Sequence, residues 1–207
     1  MRINNNQIDK IDKMWHINHE RRQYMGLAAL RTEDLPHYTY NDYVQWEGRW
    51  EIIRGIPYAM APLPSKKHQR LSQKIAHRLE ELLKNCPRCS AYLPLDWQIT
   101  EDTVVQPDNL VVCDENEEDD ILLVPPVLVF EILSPSTSRK DRTLKYQLYQ
   151  EAGVTYYCIV DPETQSAEVF VLRESEYRAV EDSQEGKINF DLGPCSIAFD
   201  FREIFKK

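Results

Sequence analysis

The 207-residue chain is 42% hydrophobic and 29% charged, an ordinary balance for a globular protein able to bury a sizeable core. Its net charge of −9 argues against broad, non-specific attraction to a phosphate backbone but leaves room for a local basic groove. No run reaches the apolar length of a membrane span and the amino-terminal stretch lacks the apolar centre of a signal peptide, so no membrane association and a cytoplasmic location are expected.

Residues 1–35 are polar and weakly patterned, and are expected to be an appendage, flexible or helical, to a single domain over 36–207. Tyr38–Trp46 suits a short helix capped by Thr39 or Asn41. Trp50–Met60 reads as two strands turning at Gly55, with Glu51 in the first. Pro62 and Pro64 introduce a helix over Ser65–Lys84. Leu71, Ile75, Leu79 and Leu82 fall at helical spacing on its buried face, and His68 sits at the edge of that face. The five cysteines are expected to be reduced in a cytoplasmic protein. Cys86-Pro-Arg-Cys89 is a lone CxxC; a zinc site needs two more ligands, no second pair stands at matching spacing, and two thiols at a helix end is the simpler reading.

Ser90–Thr100 reads as a strand, and Val104–Val112 as another that places Gln106, Asp108, Leu110 and Val112 on one face. The acidic run Asp114–Asp120 is a solvated loop. Next comes Pro126-Val-Leu-Val-Phe-Glu-Ile-Leu-Ser-Pro135, a buried strand bounded by prolines. Glu131 shares a face there with Val127, Val129 and Leu133. An isolated carboxylate in that setting either holds a proton or needs a cation, which could be a lysine, an arginine or a metal ion. Two acids inside apolar faces of neighbouring strands suggest a shared ligand; the alternative is that one pairs with an arginine and the other caps a turn. A second helix runs over Arg139–Ala152 to Gly153, with Leu144, Leu148 and Ala152 as its buried stripe. Asp141 falls within that stripe and Lys145 on its margin. Strands at Tyr156–Val160 and Ala167–Leu172 follow, and the tail from Tyr177 alternates like one or two edge strands.

Gln106-Pro-Asp108, followed by Glu131-Ile-Leu-Ser-Pro-Ser-Thr137, resembles the Uma-type family of restriction-endonuclease-like proteins within the PD-(D/E)XK nuclease superfamily. The resemblance continues through Arg139–Tyr146 and Glu151–Pro162, and takes in Trp50–Gly55 and His68. It implies a restriction-endonuclease-like α/β (mixed α+β) fold, a central mixed β-sheet flanked by helices. It also implies a divalent-metal site at the centre, with Asp108 as the motif's aspartate and Glu131 as its second acid. Leu133 stands where the superfamily expects lysine, and Lys145 on the following helix is the implied substitute. Lys140 is the alternative, expected to point more toward solvent. Glu51 matches a glutamate near the site in such folds.

Magnesium and manganese take oxygen ligands and usually keep water. The implied set is therefore Asp108, Glu131 and the carbonyl of Ile132, with Lys145 orienting or deprotonating the attacking water or neutralising the phosphate. Gln106 and His68 are further candidates; Tyr146 and Tyr149 are expected to pack, and Glu51 to serve the site or to form a structural ion pair with Arg54 or another strand residue. The expected function is metal-dependent endonucleolytic cleavage of DNA, helped by a cluster of Lys66, Lys67, Arg70, Arg139, Lys140 and Arg142. Small nucleases of this fold often act as homodimers, so that two sites can cut two strands. The alternative is a nuclease-fold binding or regulatory module with weak or no catalysis.

Overall fold

The computed structural model describes residues 36–60, 63–114, 120–180 and 186–206; the expected appendage over 1–35 lies outside them. A one-turn helix α1 (Tyr40–Tyr43) opens the described part, and the Thr39 N–H donates to Asp42 Oδ2 at 2.8 Å. Strands β1 (Trp50–Ile53) and β2 (Ile56–Ala59) form the expected hairpin. Its two turn residues, Arg54 and Gly55, have φ of 52° and 75°, which glycine adopts without strain and which matches the twist of a tight hairpin.

Helix α2 (Lys66–Leu83) is capped by Ser65, whose Oγ accepts from the His68 N–H at 3.2 Å. It buries Leu71, Ile75, Leu79 and Leu83. Ile75 and Leu79 are fully enclosed, so truncating either to alanine costs about 2–5 kcal/mol. Strands β3 (Cys89–Tyr92), β4 (Trp97–Thr100), β5 (Thr103–Val105) and β6 (Asn109–Cys113) follow.

Here the structure corrects two expectations. Ser90–Thr100 and Val104–Val112 are not single strands: each is broken, and the halves belong to different sheets. One sheet has the order β2-β1-β5-β4; the other runs β10-β9-β8-β7-β6-β3. The chain crosses at Leu93-Pro94-Leu95-Asp96 and returns at Gln106-Pro107-Asp108. Proline supplies no N–H for a ladder, so Pro107 suits the crossing point.

Strand β7 (Leu128–Ile132) lies in the middle of the larger sheet, antiparallel to β6 and parallel to β8 (Tyr156–Asp161). Both faces of β7 are covered, and all five residues are buried. Leu128, Phe130 and Ile132 join the core under α2 and the terminal ribbon of β11 (Lys187–Asp191) and β12 (Ser196–Asp200). Val129 and Leu133 join a second core with Trp97, Tyr149 and Tyr157. β9 (Ser166–Arg173) and β10 (Glu176–Ala179) complete the large sheet, and helix α5 (Phe201–Phe205) ends the described chain.

The parallel pair β7–β8 requires a crossover, which the second predicted helix supplies. It is not one α-helix. A short turn α3 (Ser138–Lys140) passes into a π-helical segment over Asp141–Lys145 and then into α4 (Tyr146–Glu151). The wider π turns bury both Asp141 and Lys145. Among the described residues no helix is long and apolar enough to cross a membrane.

Candidate active site

Strand pairing brings the two predicted acids together. Asn109 pairs with Phe130, so one residue back, where β6 begins, Asp108 comes beside Glu131. Asp108 Oδ2 accepts the Ile132 N–H at 2.8 Å and faces His68 Nε2 at 3.0 Å. His68, reached from the first turns of α2, therefore belongs to the cluster, and its Nδ1 is buried without a hydrogen-bond partner.

Lys145 enters from the π segment. Its Nζ lies 2.7 Å from Glu131 Oε1 and 2.8 Å from Glu51 Oε1. Relative exposure is 2% for Lys145, 3% for Glu131 and 0% for Glu51, so this is a buried ionic triad. Burial opposes the ammonium, but Glu131, Glu51 and Asp141 outweigh it and hold the Lys145 pKa well above its usual range. Burial also opposes ionisation of Glu51, yet Lys145 and Lys140 hold its carboxyl down at about 2. Glu131 goes the other way. Burial pushes its carboxyl up, Asp108, Asp141 and Glu51 push in the same direction, and Lys145 only partly opposes them.

Lys140 sits differently from expectation, while Glu51 and Tyr149 make contacts that the sequence left open. Lys140 does not point to solvent: it pairs with Glu51 and lies over the Tyr58 ring, 5.5 Å from the centroid. Glu51 does not pair with Arg54, which bonds Glu151 instead. Tyr149 packs against Trp97 and Tyr157, but its hydroxyl also donates to Glu131 Oε1 at 2.7 Å. That bond joins residues whose sequence separation carries no pattern. Gln106 contributes its backbone N–H to Glu51 Oε1 at 3.0 Å, while its side chain bonds Arg49 and Asp96. Tyr146 packs among Tyr157, Phe170 and Tyr177.

Asp141 is the residue whose inward position was legible but whose part in the cluster was not. It is 1% exposed and its Oδ1 has no hydrogen-bond partner. Burial raises its pKa; Lys145 and Thr137 counter this while Asp108 adds to it. The cluster thus gathers Glu51, Asp108, Glu131 and Asp141 against Lys140 and Lys145, with His68 alongside. The orphaned Asp141 Oδ1 and the carboxylates of Asp108 and Glu131 are oxygen donors of the kind that could hold magnesium or manganese.

Asp108, Glu131, Asp141, Lys140 and Lys145 all line one cleft of about 1760 Å³. Lys66, Arg70 and Arg139 line it as well, exposed and without a salt bridge among the described residues. Lys67 and Arg142 do not serve it, being paired with Glu163 and Glu168.

A central mixed sheet with a helix on one face, a π-distorted crossover on the other and this acid–lysine cluster is a nuclease-like arrangement. The chain belongs to the Uma2 family, described as "Putative restriction endonuclease", whose family model matches residues 40–191. It is 31% identical over 130 residues to an uncharacterized protein of Synechocystis sp., covering 59% of this chain and 67% of the relative. Among solved structures it is similar to a crystal structure described as a "putative nuclease belonging to DUF820" from Anabaena variabilis. The two share 20% identity with a TM-score of 0.67, over 81% of this chain and 97% of the other, a likeness of fold.

Proposed function

We propose that this chain is a divalent-metal-dependent DNA endonuclease whose site is Asp108, Glu131, Lys145 and Glu51. The observation that carries the reading is the Lys145 ammonium held 2.7 Å from Glu131, on the strand beside Asp108. It supplies, from a helix, the cation missing at Leu133.

Asp108, Glu131 and the Ile132 carbonyl would hold magnesium or manganese, with Asp141 Oδ1 as a further oxygen at the same cleft. When bound, the metal lowers the pKa of a water and stabilises charge on the attacked phosphate. The chain's own residues do the rest. His68 and the Ile132 N–H orient Asp108 from the side of Oδ2. Tyr149 orients Glu131. Lys145 remains an ammonium, so it neutralises phosphate charge and positions the nucleophile rather than accepting its proton. Glu51 fixes both lysines in place. Lys66, Arg70 and Arg139 supply local positive charge along the cleft of an otherwise acidic protein. A homodimer would bring two such sites to two strands.

A nuclease-fold binding module without catalysis is the second reading, favoured by one observation: Lys145 is fully committed to two carboxylates. Incubating the full chain with supercoiled plasmid and with single-stranded DNA, in magnesium, in manganese and in chelator, separates the two. Metal-dependent nicking or linearisation supports the nuclease; DNA binding without cleavage under every metal condition supports the module.

A further inference from the structure

A second cluster lies away from the carboxylates. Cys86 and Cys89 bracket a tight turn just after α2, in which Cys86 N–H donates to Leu83 O at 2.7 Å and Cys89 N–H to Cys86 O at 3.0 Å. Cys113 stands directly across from Cys89 in the β3–β6 register. Cys195 arrives from the turn between β11 and β12, where its carbonyl accepts the Leu192 N–H at 2.8 Å. The expectation of reduced thiols is not met: Cys86 is bonded to Cys195 and Cys89 to Cys113, with Cα–Cα separations of 6.0 and 4.0 Å. Cys158 alone is a free cysteine, and it is buried.

Nothing about two disulfides requires them to abut. Yet the sulfurs of Cys86, Cys89 and Cys195, drawn from both bridges, lie within 4.8 Å of one another, and the Cys113 sulfur is bonded to that of Cys89. Three sulfurs from separate parts of the fold thus gather within one small volume, and Cys113 adjoins them through Cys89. A tetrahedral zinc with Zn–S bonds of about 2.3 Å needs its sulfurs roughly 3.8 Å apart, a small adjustment from this spread. The turn is held independently of the sulfurs. Arg88, between the two CxxC cysteines, bonds Asp114 through Nε at 2.6 Å and Nη2 at 2.7 Å, and the Asp114 N–H returns to Arg88 O at 2.8 Å. The sequence offered the CxxC but no second pair; Cys113 and Cys195 complete it from sequence separations of 24 and 109.

We infer that Cys86, Cys89, Cys113 and Cys195 form a structural zinc site, and that the two disulfides are its metal-free, oxidised form. Each disulfide takes two electrons and two protons from a dithiol reductant, which itself becomes a disulfide. The four thiols then release four protons as one Zn²⁺ binds the four thiolates. The ion ties the end of α2 to β3, β6 and the terminal ribbon, and so braces the helix carrying His68 against the strand that Asp108 precedes.

The test uses the full chain, reduced with a phosphine under anaerobic conditions, with free thiols counted before Co²⁺ is titrated in. One Co²⁺ per chain should bind with sulfur-to-cobalt charge-transfer absorption and tetrahedral d–d bands, and Zn²⁺ should bleach both. Cobalt bound by carboxylates gives no such charge-transfer band, so the nuclease-type cluster does not interfere. Cys113→Ser and Cys195→Ser should each lower the charge-transfer intensity and shift the d–d bands, while Cys158→Ser titrates like the parent chain. If a serine variant fails to fold, the parent titration still decides. A fully reduced parent chain that shows no charge-transfer band overturns the site, whether it stays folded or unfolds and is not refolded by Zn²⁺. So does a band unchanged in a folded Cys195→Ser chain.

Discussion

Lys145 follows Glu131 by 14 residues, and its ammonium returns to within 2.7 Å of the Glu131 carboxylate across a turn, a π segment and the edge of a core. The same Nζ reaches Glu51, on a strand of the other sheet, at 2.8 Å. One lysine therefore links the two sheets at the point where the cleft opens. Removing it leaves two buried carboxylates facing each other, which costs about 3–5 kcal/mol. Lys145→Ala should lower the urea midpoint accordingly; a loss below about 1 kcal/mol, the value of an exposed pair, would show that the triad is relaxed by water.

Glu131→Gln should behave oppositely in stability and should abolish metal binding. Its side-chain oxygen can still accept from Lys145 and Tyr149, and Lys145 keeps Glu51. Neutralising Glu131 also removes repulsion from Asp108, Asp141 and Glu51. The metal-free variant should melt at or above the parent temperature while calorimetric Mn²⁺ binding disappears. Strong destabilisation without metal would mean that Glu131 serves as an ion-pair partner and not as a ligand.

Acid stability should report Glu51. Its carboxyl is held at about 2 against an ordinary 4.5, so the folded state binds this proton less readily than the unfolded chain. Its contribution is complete above pH 4.5 and is lost as pH falls toward 2; the interval corresponds to about 3 kcal/mol. Glu131 has the opposite sign, because a raised carboxyl favours folding at low pH and loses that contribution as pH rises through its folded-state value. Urea melts of Glu51→Gln should show a weaker fall between pH 4.5 and 2 than the parent, together with lower stability at pH 7. Parallel curves would remove Glu51 from the account.

Tyr149→Phe keeps the ring contacts with Trp97 and Tyr157 at 5.7 and 5.2 Å and deletes only the bond to Glu131. A bond to a charged acceptor is worth about 1.5–3 kcal/mol, and losing a partner that orients a ligand typically weakens metal binding about 10–100-fold. Unchanged Mn²⁺ affinity in a folded Tyr149→Phe chain would show that Glu131 needs no such support.

Arg139 is the residue to test for backbone contact, since it is exposed at the cleft while Lys140 is tied to Glu51. Arg139→Ala should reduce the salt slope of DNA binding by about 1 while leaving turnover at saturation intact. A wild-type slope would place the DNA elsewhere.

Local pattern carried much of the fold. The β1–β2 turn at Gly55, the stripe of α2 and the all-buried β7 each follow from spacing within a few residues. Asp108 and Glu131 were legible because each interrupts an apolar run. What stayed hidden depends on distant pairing. The break at Pro107 reads as a continuous strand until its halves find different sheets. The π turns look like ordinary helix in the sequence, although they still leave Asp141 and Lys145 inward. The Lys140–Glu51 and Tyr149–Glu131 contacts, and the meeting of Cys113 and Cys195 with the CxxC turn, join segments that no short period connects.

The most direct test is single-turnover cleavage of plasmid DNA by the Mn²⁺-loaded chain, set beside Glu131→Gln and Lys145→Ala chains confirmed as folded. The parent should cut; both variants should lose cleavage by orders of magnitude while retaining DNA binding. A folded, metal-loaded parent that leaves both plasmid and single-stranded DNA intact, or a Lys145→Ala chain that cuts at the parent rate, contradicts the account.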